Sequence, residues 1–146
     1  MAVALKYDPE DYPDVYIADI LKSVKTIAML GASDNEFRPS YGVMRYLQKK
    51  GYRVIPINPR LAGKELHGET VYAELSDVPL AIDMVDIFRR TEDLPEAMRE
   101  SIGIGAKVIW AQLGLRDDDV AAWAEAQGLR VVMNRCPAIE IPRLGL

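Results

Sequence analysis

Residues 26–46 read T-I-A-M-L-G-A-S-D-N-E-F-R-P-S-Y-G-V-M-R-Y, and the succession of apolar run, glycine, polar turn and helix start in this stretch decides the fold. Thr26 to Leu30 carry no charge, which suits a strand buried on both faces of a parallel sheet. Gly31 breaks the run, and Ser33, Asp34 and Asn35 supply turn chemistry. Beyond Pro39, Ser40 is placed to cap a helix through Gln48, on which Val43, Met44 and Leu47 share a face. Strand, glycine loop and helix start are how α/β folds build an anion site, because backbone N–H groups and a helix N-terminus then point at phosphate. The stretch reads as a phosphate cradle.

Upstream, residues 1–13 look like a loosely held lead-in, and an amphipathic helix follows from Asp14, its expected cap. Downstream, the helix at about 41–50 stops at Gly51, and Arg53 to Ile57 form a second strand. Pro56 within that run is expected where pairing gives out. Residues 61–78 are irregular, with a short helical turn within 71–75. Ala81 to Phe88 are a third strand, followed by a helix from Glu92 to Ile102 capped by Thr91. Lys107 to Ala111 are a fourth strand; Asp117, Asp118 and Asp119 open another helix, where acids favour the positive end. Arg130 to Met133 are a fifth strand, and a short tail follows Pro137. Alternating strands and helices call for right-handed crossovers and a parallel sheet. The expected architecture is a Rossmann-like three-layer α/β fold: one domain over residues 1–146, core 14–144, with five parallel strands in order 3-2-1-4-5 and helices on both faces.

A chain of 146 residues can bury a real core, and 49% apolar with 27% charged residues is ordinary for a soluble globular protein. A net charge of −4 argues against non-specific nucleic-acid binding, so an anionic ligand must be met by local arginines and amides. The single cysteine excludes an internal disulfide, and no Cys/His cluster suggests zinc. No run has signal-peptide or bilayer-spanning length, which makes the cytoplasm the expected location.

In a sheet of this kind, ligands bind at the carboxyl ends of the strands. The residues after each strand are Gly31 to Ser33, Asn58 and Pro59, Phe88 to Arg90, Gln112 to Gly114, and Asn134 to Cys136, all but Pro59, Phe88 and Leu113 being polar, small or cationic. A dinucleotide fingerprint would place glycines at 31, 33 and 36 and an acid after the second strand, but the chain has Ser33, Glu36 and Asn58 there. Those departures argue against NAD. The long loop with Arg38 suits several phosphates, or a 3′-phosphate, by charge-assisted bonds.

G-A-S-D-N-E-F-R-P-S-Y-G-V-M-R-Y-L-Q-K-K-G-Y-R-V-I-P-I-N-P, V-D-I-F-R-R, I-W-A-Q-L-G and V-M-N-R-C-P together resemble the CoA-binding domain family of small single-domain proteins. These are similar to the CoA-binding domain of the succinyl-CoA synthetase α subunit. The resemblance covers residues 14–144 and implies a Rossmann fold holding coenzyme A, or acyl-CoA, in an extended pose. It implies that Gly31, Ala32, Ser33, Arg38, Pro39, Ser40, Asn58 and Pro59 meet the adenine and phosphates. Phe88, Arg89, Gln112 and Gly114 would then meet the pantetheine arm, and Tyr41, Arg135 and Cys136 are further candidate contacts to the cofactor. The chain departs from the family at Asn134, where an aspartate is usual, and at Ile141, where a histidine often stands. The synthetase's phosphorylated-histidine domain has no counterpart here, so binding carries over and catalysis does not.

Taken singly, Gly31 is read as a phosphate-approach glycine, and Ser33 as a phosphate contact or a loop cap. Of the pair after the third strand, Arg89 faces the crevice and Arg90 solvent. Trp110 is core. Asp83 and Asp86 are caps or salt-bridge partners, since neither has a partner in sequence for acid/base work. Cys136 is a small buried hydrophobe, unless Arg135 lowers its pKa and it forms a mixed disulfide with CoA. His67 is a surface or structural histidine. The readings that follow are a CoA-binding carrier, sensor or accessory subunit without catalytic machinery, an NAD(P)-dependent oxidoreductase on the same fold, or an interaction module with a vestigial nucleotide site. The helix from Asp14 and the tail after Pro137 are candidate surfaces for a homodimer or protein partner.

Overall fold

The computed structural model describes residues 4–146, and its strands lie where the apolar runs fall. β1 (Thr26–Leu30) and β2 (Arg53–Ile57) match the expected bounds. A two-residue hairpin follows, β3 (Glu65–Leu66) with β4 (Glu69–Thr70), and then β5 (Met84–Ile87), β6 (Val108–Ala111) and β7 (Arg130–Val132). The five longer strands form one parallel sheet whose central strands are buried along their whole length, as coverage on both faces demands. α1 (Asp14–Ser23), α2 (Pro39–Lys49) and α5 (Pro137–Arg143) cover one face, packing Ile17, Ile20, Met44, Leu47 and Ile141 against Met29, Met84 and Trp110. α3 (Leu94–Gly103) and α4 (Asp118–Ala126) cover the other, through Leu94, Met98, Ala121 and Ala124. Trp110 is core, as expected, and its indole N–H donates to the Arg135 carbonyl at 2.8 Å. Among the described residues no helix is long and apolar enough to cross a membrane.

The five-stranded parallel architecture is as expected; the place of the third long strand is not. The order is β2-β1-β5-β6-β7, so β5 pairs with β1 rather than lying outside β2. The outer position is taken by a single residue: Tyr72 makes an isolated parallel bridge with Ile57, and its amide donates to the Pro56 carbonyl at 3.0 Å. The chain then crosses back over the sheet, and the wholly buried Met84–Ile87 takes a central position. Pro56 also differs from expectation, since β2 runs through it to Ile57. β2 is an edge strand of the main sheet and the Pro56 carbonyl faces outward to Tyr72, so the missing N–H falls on the side without a continuous ladder.

The other sheet edge is closed by tyrosines. The Tyr16 hydroxyl donates to the Val131 carbonyl and accepts from the Val131 amide, both at 3.0 Å, and the Tyr12 hydroxyl accepts from the Met133 amide at 2.9 Å. These hydroxyls take up β7 groups that a bare edge would leave open to another strand. The lead-in is therefore not loose where it is described: Tyr12 is buried, and Tyr7 packs on Tyr16 with ring centroids 4.6 Å apart. Residues 1–3 lie outside the described residues.

Helix starts differ where proline sets them. Pro13 rather than Asp14 is the N-cap of α1; Arg38 is the N-cap of α2, with Pro39 in its first turn and Ser40 buried behind it. Thr91 opens a separate 3-10 turn over Thr91–Asp93, and Asp93 precedes α3. Asp117 caps α4 as its residue type predicts, accepting from the Val120 amide at 3.2 Å. The expected tail is the helix α5, entered through Pro137.

Candidate functional site

Gly31 follows the last residue of β1, and the backbone there is strained for any residue with a Cβ. Its φ is +89°, and a Cβ would stand 2.1 Å from the Phe88 carbonyl oxygen at the end of β5. The Gly31 and Ala32 amides both donate to the Ile57 carbonyl, at 3.0 and 3.2 Å, tying the ends of β1 and β2 together. These two amides are thus engaged within the fold. Beyond them a relay of turn bonds rolls the loop into α2: Ser33 Oγ accepts from the Asn35 amide at 3.0 Å, Asn35 Oδ1 from Phe37 at 2.9 Å, and the Asn35 carbonyl from Arg38 at 2.9 Å. Among the described residues, the amides of Ser33, Asp34 and Ser40 donate to no backbone acceptor outside the helices. α2 carries no acid in its first turn, so its positive end is not offset.

A crevice of about 870 Å³ opens over these groups. It brings together Gly31, Ala32, Ser33, Arg38, Pro39, Ser40, Asn58, Phe88, Arg89, Gln112 and Cys136, as the sequence leads one to expect. Asn58 also serves as a bolt, its Nδ2 donating to the Ala32 carbonyl at 2.8 Å and its Oδ1 accepting from the Arg60 amide at 2.9 Å. Arg89 lines the crevice, whereas Arg90 is exposed and paired with Glu92 at 2.9 Å and Asp93 at 3.3 Å.

Four expected residues do not line it. Tyr41 turns its ring edge-on to His67, with centroids 4.3 Å apart, and its carbonyl lies 3.2 Å from the histidine Nε2. His67 is accordingly structural, with burial lowering its pKa. Pro59 lies on a separate cavity of about 200 Å³. Gly114 adopts φ +83° and donates to Asn134 Oδ1 at 2.7 Å, joining the loops after β6 and β7. Arg135 extends its guanidinium over the Tyr12 ring, 5.6 Å from the centroid, and toward the buried Glu140 at 3.9 Å. Leu113, within the expected stretch Gln112 to Gly114, lines it too, whereas sequence reasoning missed Gly42, Val43 and Tyr46 on α2, Arg60 after β2, Leu115 after β6, and Ala138 and Ile139 on α5. The helical spacing of Pro39, Val43 and Tyr46 was a usable signal for the first group.

The lining divides by chemistry along the sheet. Arg38, Arg60 and Arg89 follow β1, β2 and β5, and among the described residues no aspartate or glutamate lines the crevice, although the whole chain carries a net charge of −4. Leu113, Leu115, Cys136, Ala138 and Ile139 follow β6 and β7 and make the other half apolar. Such a site takes an elongated ligand, anionic at one end and weakly polar at the other.

Beneath the floor lies Asp86, fully buried in the middle of β5. Its Oδ1 accepts from Gln112 Nε2 at 2.7 Å, while Oδ2 has no hydrogen-bond partner among the described residues. Burial pushes its pKa up to about 7. It is therefore neither the cap nor the ion-pair member the sequence suggested. Asp83 does match that reading, accepting from the Lys25 and Thr26 amides at 3.0 Å, bonds that lower its pKa. Cys136 is buried, as the reading of a small hydrophobe requires, and burial pushes its thiol up; the alternative, a lowering by Arg135, does not hold, because that guanidinium faces Tyr12 and Glu140 instead. Among the described residues no group of three His, Cys, Asp or Glu side chains is placed to hold a metal.

A family model described as a CoA binding domain matches residues 25–142. An uncharacterized protein of Bacillus subtilis, YneT, is 36% identical over 120 residues, spanning 82% of this chain and 87% of that protein. The solved structure of a Thermus thermophilus protein superposes with a TM-score of 0.86 at 37% identity, covering 91% of this chain and 99% of that one. The α subunit of an ADP-forming acetate–CoA ligase from Pyrococcus furiosus is 27% identical over 95 residues. That match covers 62% of this chain but only 21% of the ligase subunit.

Proposed function

The chain belongs to the CoA-binding domain family, and from that premise we propose that it holds coenzyme A or an acyl-CoA across the carboxyl ends of its strands. The observation that carries this reading is the lining itself: three arginines and no carboxylate at one end of the crevice, apolar side chains at the other. Coenzyme A has the same division, with phosphates on the nucleotide and a pantetheine arm that is mostly apolar. Arg38, Arg60 and the amides at the start of α2 meet phosphate, since charged donors and an unopposed helix N-terminus both stabilise it. Gln112 and the side chains after β6 and β7 meet the arm. The Gly31 and Ala32 amides shape the loop without contacting phosphate, because the Ile57 carbonyl occupies them.

The same geometry disfavours a dinucleotide. The position after β2 that would hold a ribose hydroxyl is Asn58, whose side chain is spent on Ala32 and Arg60. The chain acts as a cytoplasmic binding unit, a carrier, sensor or accessory subunit, and catalysis on the ligand belongs to another protein. Native mass spectrometry after incubation with excess CoA tests this. One CoA mass per chain, displaced by an acyl-CoA, is the expected result; a chain that stays bare would overturn the reading.

A further inference from the structure

Asp86 is absent from the crevice wall, yet the wall depends on it. It occupies the buried centre of β5 on the same face as Met29 and Trp110, one turn of the pleat below Phe88. Gln112 follows β6 on that face and is the only side chain with which Asp86 makes a hydrogen bond among the described residues. The bond runs from Gln112 Nε2 to Asp86 Oδ1 at 2.7 Å, so the carboxamide is turned with its NH2 toward the acid. Gln112 Oε1 accepts no hydrogen bond from the described residues and is not among the sealed atoms lacking a partner. Since Gln112 lines the crevice, that oxygen is the atom it leaves open to a ligand.

We propose that Asp86 is a positioning residue: by holding the Gln112 NH2 from beneath, it makes the Gln112 carbonyl oxygen the polar group offered to the arm of the ligand. The wall after β6 and β7 is otherwise apolar, so this oxygen selects a ligand with an N–H donor at that point, as an amide-bearing arm has. Without Asp86 the carboxamide keeps only its contact with the Cys136 thiol and can rotate to present N–H against N–H. Burial of an acid costs stability, and a glutamine held by the backbone alone would avoid that cost. The inference rests on the reading of the crevice as a CoA site.

The test separates arm from nucleotide by titrating CoA and adenosine 3′,5′-bisphosphate, which lacks the arm, into wild type, Asp86→Asn and Asp86→Leu. Asparagine has the shape of the protonated acid and keeps an acceptor for Gln112, so Asp86→Asn retains both affinities. Asp86→Leu lowers CoA affinity by about three- to tenfold, the loss of one neutral hydrogen bond, and leaves the bisphosphate unchanged. Equal losses for both ligands in Asp86→Leu, or no loss for either, would overturn the positioning role. If Asp86→Leu does not fold, Gln112→Met decides: it is expected to lose the same factor for CoA alone, and unchanged CoA affinity overturns the proposal. Wild type that binds neither ligand would instead sink the CoA reading beneath it.

Discussion

Asp86→Asn replaces a fully buried carboxyl by an amide of nearly the same shape. In the folded chain burial raises the acid's pKa from the ordinary 3.8 to about 7; unfolding returns it to water and to the lower value. The folded state therefore holds the proton more tightly than the unfolded state. Its contribution to stability is complete below about pH 4 and is lost as pH rises through about 7. A difference of roughly three pH units corresponds to about 4 kcal/mol. Asparagine has no proton to lose, so the variant gains on wild type by about 1.4 kcal/mol per pH unit across that window and then levels off. Every other titrating group is common to both chains and cancels in the difference. Urea unfolding followed by circular dichroism from about pH 4 to about pH 8 measures it. Parallel stability curves would refute the reasoning, since they would mean that Asp86 ionises as readily when folded as when unfolded.

Other substitutions probe separate links. Gly31→Ala puts a Cβ 2.1 Å from the Phe88 carbonyl at a φ of +89°, so it should cost about 2–5 kcal/mol in urea unfolding; a loss under about 1 kcal/mol would mean the loop relaxes freely. Arg38→Ala should leave stability intact, because the side chain is exposed, and weaken CoA binding by about 1.5–3 kcal/mol by calorimetry. Unchanged affinity would remove Arg38 from the site. Tyr16→Phe strips both hydrogen bonds from Val131 on the β7 edge, and thermal unfolding should register about 1–3 kcal/mol.

Much of this architecture is legible because strands buried on both faces read as unbroken apolar runs, and Thr26–Leu30 and Arg53–Ile57 can be bounded from them directly. The strand order is not, since what displaces the third strand is one residue, Tyr72, whose bridge to Ile57 has no counterpart in periodicity. α5 hides behind two prolines, in P-A-I-E-I-P-R, that read as a broken tail. Most of the crevice follows from topology alone, because a parallel sheet brings the residues after each strand to one edge. What topology leaves open is rotation: Tyr41 and Arg135 are adjacent to crevice residues yet turn to His67 and Tyr12, whereas Val43, Tyr46 and Ile139 turn in. Asp86 has no sequence signal because its partner, Gln112, lies just beyond the next strand of the sheet, 26 residues on.

Calorimetric titration of the purified chain with CoA, NAD and NADP side by side tests the central claim most directly. The arginine-lined and apolar halves of the crevice predict saturable one-to-one binding of CoA and no heat from either dinucleotide. A preference for NAD or NADP, or silence from all three, would contradict it.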